Sequence, residues 1–245
     1  MSIRTLIERL SRHIVVKRRL PAKFGRGPLF VSPAAALSYW RLDLGKVDRM
    51  LLDVAFEHVR AGDVVWDIGA NVGLFAFAAA NLSGATGRVL AVEPDIWLAN
   101  ILRRSAGMDE NRRLKVDVLP VAVTNAVDLR EFNIAMRGRA SNYLATSIPS
   151  PMAGGVRETQ LVPTVTLDWL LARYLRPPGS SNLTWRAPRS WPCRLLNGCW
   201  QRPDPLSFWR FQGIMHKISC SFSGASVTPC TMPRSEVRTE SRWST

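Results

Sequence analysis

Long apolar runs are missing from this chain. None reaches the roughly 18 to 20 residues a bilayer crossing needs, the longest strong candidate being Leu74 to Leu82. A membrane-spanning protein is thereby excluded and a soluble one expected. The first twenty residues, MSIRTLIERLSRHIVVKRRL, lack the apolar segment and small-residue cleavage site of a secretory signal, which points to a cytoplasmic address. Acidic residues are also scarce, 19 against 33 Lys and Arg, for a formal net charge of +14. Such an excess invites nucleic acid or an anionic membrane as partner, but its distribution argues otherwise. Residues 1–26 hold eight Lys or Arg against Glu8, residues 177–245 hold nine against three acids, and residues 27–176 hold sixteen against fifteen. The middle is nearly neutral, so no nucleic acid is expected as partner. Cysteine is absent before Pro178, and Cys193, Cys199, Cys220 and Cys230 have spacings of six, twenty-one and ten, which match no common zinc pattern. No metal site is expected.

What is present is a clear α/β pattern. Ile3, Leu6, Ile7, Leu10 and Ile14 recur at helical spacing among arginines, predicting an amphipathic N-terminal helix, and Pro21 to Pro33 reads as a loop-rich connection. The spacing of Val47, Met50, Leu51, Val54, Ala55 and Val59 predicts a helix over Lys46 to Arg60, stopped before Gly62. A buried-type strand at Val64 to Ile68, a glycine-containing turn, a helix from Val72 to Leu82 and a strand from Arg88 to Glu93 then form a strand, helix, strand crossover, the unit of doubly wound sheets. A helix over Ile96 to Ala106 and a valine-rich strand over Leu114 to Val123 follow. Leu129 to Ala135 and Leu161 to Val165 read as further strands, Gly138 to Glu158 as a long loop or lid, and Trp169 to Leu175 as a short helix. Three regions result: a basic helix and loop at 1–45, the α/β domain at 46–178, and a tail at 179–245.

Within the crossover the motif is Val64-Val65-Trp66-Asp67-Ile68-Gly69-Ala70-Asn71-Val72-Gly73. Glycine at 69 and 73 leaves the backbone after the strand open to a ligand lying against the helix N-terminus. Twenty residues past Gly73 the second strand ends in Glu93, whose carboxylate can accept hydrogen bonds from both hydroxyls of a ribose. An adenosine-containing ligand fits. A dinucleotide fingerprint would need glycines where Asn71 and Leu74 stand, which disfavours NAD. Asp67, two positions before the first glycine, would repel a phosphate but suits the ammonium and sulfonium charges of S-adenosylmethionine.

The string VVWDIGANVGLFAFAAA, followed in order by VLAVEPD, VLPVAVTN and VPTVTLDWLL, resembles the FkbM-type methyltransferases from about Lys46 to Pro178. The resemblance implies a Rossmann-like class I methyltransferase sheet and S-adenosylmethionine as cofactor. It further implies O-methylation of a small-molecule or sugar acceptor. By the same likeness Asp67, Gly69, Asn71 and Gly73 line the methionine and ribose portion of the cofactor, and Glu93 holds the ribose diol. Methyl transfer from a sulfonium needs an aligned acceptor and a base for its proton. His58, in a helix, and Asp168, starting one, are the few candidates; both read as structural, so no base is assigned.

Members of this family continue past the segment equivalent to TVTLDWLLARYLRPP into a strand ending Asp-Val-Glu-Gly-Ala-Glu. This chain reads GSSNLTWRAPRSWPCRLL instead, with five of its nine tryptophans after Pro178. Permitted codons for Ser180 to Arg189, read from the last base of the Gly179 codon, can spell VIKLDVEGAE. The same shift across Leu206 to Gly213 can spell VVLLEVSG, which resembles the family's next buried strand. A single-base frameshift near codons 177–179 is the expectation. With it come an incomplete sheet with a bare edge at its first strand, a disordered tail and little or no catalysis. The rival reading is a non-catalytic nucleotide-binding half-domain whose basic arms dock on an anionic partner.

Overall fold

The computed structural model describes residues 10–174, 183–187, 207–211 and 214–218. Three sheets are present among them. The strands are β1 (Val16–Arg19), β2 (Pro28–Val31), β3 (Val64–Ile68), β4 (Arg88–Val92), β5 (Val116–Leu119), β6 (Ala122–Val123), β7 (Asp128–Ala135), β8 (Tyr143–Leu144), β9 (Val156–Val165), β10 (Leu183–Ala187), β11 (Ser207–Phe211) and β12 (Ile214–Ile218). The helices are α1 (Arg49–His58), α2 (Leu74–Ser83), α3 (Ile96–Ala106) and α4 (Leu167–Tyr174). No helix among the described residues is long and apolar enough to cross a membrane.

The main sheet has the order β12-β11-β10-β3-β4-β5. All neighbours are parallel except β12, which runs antiparallel to β11. Chain order reverses between β3 and β10, with β4 and β5 stepping one way and β11 and β12 the other. In open α/β sheets, ligands bind outside the carboxyl ends of the strands at such a reversal. This is a Rossmann-like α/β sheet.

Alternation along β3 and β4 builds two cores. Val65, Val89 and Ala91 face α1, α2 and α3, while Val64, Trp66, Ile68, Leu90 and Val92 face Val121, Val123, Val165 and Leu170. Helix α2, LFAFAAANLS, has apolar residues on every side because it is covered on every side: Leu74 to Ala80 are all buried. Helix α1 begins at an Asp48 cap, whose side chain accepts from the Leu51 N–H, and α3 at an Asp95 cap.

Several elements differ from the sequence reading. Residues 16–31, expected to be helix and loop, form the antiparallel pair β1–β2. Leu20, Phe24, Leu29 and Val31 join the core, the Phe30 N–H donates to Ser105 Oγ and Asn111 Nδ2 donates to the Pro28 carbonyl. Of the predicted N-terminal helix, residues 1–9 lie outside the described residues and only Leu10 is helical, while Val16 onward is strand. The valine-rich strand breaks into β5 and β6 around Pro120, which has no N–H to donate. Strand β9 begins at Val156 rather than Leu161 and pairs with β7, shortening the lid.

Beyond residue 179 three segments are strands, and β10 lies along β3 with Leu183 opposite Val64 and Arg186 opposite Asp67. The bare β3 edge expected from the sequence is therefore filled. Local composition explains it: Leu-Thr-Trp-Arg-Ala alternates apolar and polar, and Ser-Phe-Trp-Arg-Phe is rich in strand-favouring aromatics. The remaining positions of 179–245, on which the expectation of disorder falls, lie outside the described residues.

Candidate cofactor site

The turn after β3 is stitched to the end of β4. The N–H groups of Gly69 and Ala70 both donate to the Val92 carbonyl, at 2.8 and 3.0 Å, so the two strand ends are held together before any ligand arrives. Three residues in the turn have positive φ: Gly69 at 80°, Asn71 at 55° and Gly73 at 91°. Asparagine tolerates this region better than most side chains, and its Oδ1 accepts from the Val72 N–H at 2.8 Å.

The two glycines do different work. A Cβ added at Gly69 would meet nothing within 4 Å, so the turn has an open side there. At Gly73 it would lie 2.5 Å from Leu102 Cδ2 and 2.9 Å from the Phe77 ring. Gly73 thus lets α2 pack against α3, a role the sequence alone assigned to ligand approach.

Asp67 near the end of β3 is fully buried, and Glu93, just after β4, is 5% exposed. Glu93 Oε2 accepts from the Asn71 N–H at 2.7 Å and Oε1 from the Asp95 N–H at 3.0 Å. Burial, with the negative charges of Asp95 and Asp67, pushes its carboxyl up to about 7 against the pull of those two N–H groups. The structure brings Asp67, Gly69, Asn71 and Glu93 together at the carboxyl ends of β3 and β4, with Gly73 behind the turn.

A further group escaped the sequence reading. Asp95 is fully buried, its Oδ1 capping α3 through the N–H groups of Trp97 and Leu98. Its Oδ2 accepts from Asn142 Nδ2 at 2.8 Å and pairs with Arg139, whose guanidinium lies over the Trp97 ring, 4.6 Å from its centroid. The N–H groups of Arg139 and Ala140 donate to the carbonyls of Ala34 and Ala35. The lid is thus clamped to the end of β4 and to the segment after β2. A cavity of about 150 Å³ lies between these segments, lined by Ala35, Leu37, Arg137, Ser141 and Met152 among others. The aspartate before Ile96 was a legible cap signal; its partnership with Arg139, 44 residues away, was not.

His58 and Asp168 are not part of this cluster. His58 ends α1, which leads into the amino end of β3, opposite the turn, and burial lowers its pKa while neighbouring Glu57 raises it. Asp168 is exposed in the first turn of α4. Among the described residues no group of three or more His, Cys, Asp or Glu could hold a metal ion.

A profile of the methyltransferase FkbM domain matches residues 67–179, from the acid of β3 past α4. Residues 67–179 are therefore similar to the methyltransferase FkbM domain, over somewhat less than half of the chain. The FkbM match therefore contains the turn, Glu93, Asp95 and the lid. A comparison with curated proteins found no match. Among solved structures, the M.jannaschii tRNA m1G37 methyltransferase is similar at 15% identity and a TM-score of 0.31, over 46% of this chain and 34% of its own. That likeness spans about a third of the solved protein and carries no argument.

Proposed function

We propose that this chain binds S-adenosylmethionine and is, by descent, an O-methyltransferase of a small molecule or sugar. The observation that carries the reading is the pair of buried carboxylates, Asp67 and Glu93, at the ends of adjacent parallel strands beside a turn that is open at Gly69.

The residues fit a cationic adenosyl ligand. Each Glu93 oxygen uses one acceptor position on a backbone N–H and keeps another for a ribose hydroxyl. Two acids in one buried pocket repel each other, and a sulfonium and ammonium relieve that repulsion, whereas a pyrophosphate would add to it. When bound, the cofactor supplies an electrophilic methyl group. The protein's part is to hold the adenosine, exclude water and align the acceptor oxygen. The cavity beside the lid is our candidate for the acceptor. Turnover is expected to be weak, because β10, beside β3, carries Leu-Thr-Trp-Arg-Ala where the family resemblance leads to an acidic motif.

Equilibrium dialysis with labelled S-adenosylmethionine tests the reading. Saturable uptake that is lost in Glu93→Ala and not displaced by NAD is expected. Uptake of NAD in its place, or salt-sensitive retention on nucleic acid or anionic vesicles without cofactor uptake, would transfer the assignment to a binding protein.

A further inference from the structure

Beyond the cofactor pocket, the charge around the lid is one-sided. Arg12, Arg139 and Arg157 lie on three segments that hydrogen bonds join around Met136. Arg12 Nη2 reaches the Met136 carbonyl at 3.5 Å. The Met136 N–H donates to Gly155, at the start of β9, which sets Arg157 two residues on beside the same segment. Arg139 follows three residues after Met136 and is pinned inward by Asp95. Burial lowers the pKa of Arg157, and repulsion from Arg139 and Arg12 lowers it further, against the opposing pull of Glu158 and Asp95.

The acids nearby offset the three cations only in part. Asp95 is taken up by Arg139, Asn142 and the cap of α3. Glu158 adjoins Arg157 on β9 but forms no ion pair with it within 4.0 Å, and Glu158 Oε1 accepts instead from Gln160. The Arg139 side chain is nine-tenths buried, yet its Nε has no hydrogen-bond partner. A buried guanidinium donor left unmatched is costly unless something completes it. Arg137, on the same lid segment, lines the cavity.

We propose that Arg12, Arg139 and Arg157 form an oxyanion-recognition site, and that the methyl acceptor carries a phosphate or carboxylate group which this site holds. The assignment of an acceptor rests on the methyltransferase reading; the anion site itself does not. Guanidiniums suit either group, because their planar forks match both geometrically. The three side chains come from the N-terminal segment, the lid and β9, so an anion held there would bridge these segments beside Met136.

The test is dialysis of the full chain against labelled inorganic phosphate at constant ionic strength, with and without S-adenosylmethionine. One saturable phosphate site is expected, weakened about tenfold or more in Arg12→Ala and in Arg157→Ala, as for loss of a charge-assisted hydrogen bond. Arg113→Ala, which removes an exposed guanidinium outside the cluster, should leave it unchanged. Competition by acetate as well as phosphate assigns a carboxylate-tolerant site, and competition by phosphate alone a phosphoryl site; either supports the proposal. Phosphate and cofactor should bind together. Absence of saturable phosphate binding, equal weakening by Arg113→Ala, or binding of an RNA oligomer without phosphate binding would overturn it. Displacement of the cofactor by phosphate would also overturn it, since the anion would then share the cofactor pocket. Phosphate binding in a chain that ignores the cofactor would overturn the acceptor role and the methyltransferase reading while keeping the anion site, so the two failures are distinct.

Discussion

The Glu93 carboxylate holds Asn71 in its left-handed conformation: Oε2 accepts the Asn71 N–H at 2.7 Å while the Asn71 φ is 55°. One side chain thus fixes the turn and, on the function proposed above, would offer its other lone pairs to the cofactor. Its carboxyl, ordinarily near 4.5, is raised to about 7, first by burial and then by the charges of Asp95 and Asp67.

A pH dependence follows with a definite sign. Between pH 4.5 and about 7 the folded chain keeps a proton on Glu93 that the unfolded chain has released. Stability from this group is full below that window and is lost as pH rises through it, by about 3 kcal/mol at most. Cofactor binding moves oppositely, because a ribose and a cation prefer the ionised carboxylate. The Kd for S-adenosylmethionine should fall as pH rises from 6 to 8, by up to about tenfold per unit below the pKa. A flat profile in calorimetric titrations at pH 6, 7 and 8 would remove Glu93 from the binding surface.

Gly73→Ala and Gly69→Ala should separate folding from binding. At Gly73 a Cβ meets Leu102 and Phe77 well inside van der Waals distance, on a backbone with φ 91°. Overpacking and backbone strain together predict a loss of about 2 to 4 kcal/mol in urea unfolding. Gly69→Ala meets only open space, so it should cost about 1 kcal/mol of strain while weakening cofactor uptake. Equal destabilisation by the two variants would contradict the division of labour.

Arg139→Met should release the lid. Asp95 is buried, and removing one partner of a buried pair typically costs about 3 to 5 kcal/mol; Asn142 and the cap of α3 still engage Asp95, which places the expectation near the lower end. Hydrogen exchange should quicken at the Arg139 and Ala140 amides, which donate to Ala34 and Ala35, and stay unchanged in α2. Unaltered exchange at those two amides would mean that backbone bonds alone hold the lid.

The crossover from β3 to β4 was legible because its signals are local: a five-residue apolar strand, glycines at the turn, an alanine-rich helix and an acid at the next strand end. The same local reading named Asp67, Gly69, Asn71, Gly73 and Glu93, which the structure places at or beside one turn. It missed β1 and β2, where Arg18, Arg19 and Pro28 dilute the apolar pattern and the pairing partner lies across Pro21 to Gly27. It missed Asp95 with Arg139 and the reach of Arg12 to the Met136 carbonyl for another reason. Contacts between segments far apart in the chain leave no periodicity. It read Gly73 as ligand-facing because spacing cannot tell a residue that admits a ligand from one that admits a neighbouring helix.

The coding DNA offers the last test. The family match ends at residue 179, where the tail begins. The shifted codons for Asp, Val, Glu and Gly overlap residues 183–187, the very positions that β10 occupies along β3. A chain read in the shifted frame would set a glutamate at the level of Asp67, where this chain sets Arg186. A one-base gain or loss near codons 177–179 is therefore expected. Restoring the frame should raise the unfolding midpoint and tighten cofactor uptake relative to the present chain. An intact reading frame with no neighbouring shifted motif would remove the frameshift and make LTWRA the native partner of β3.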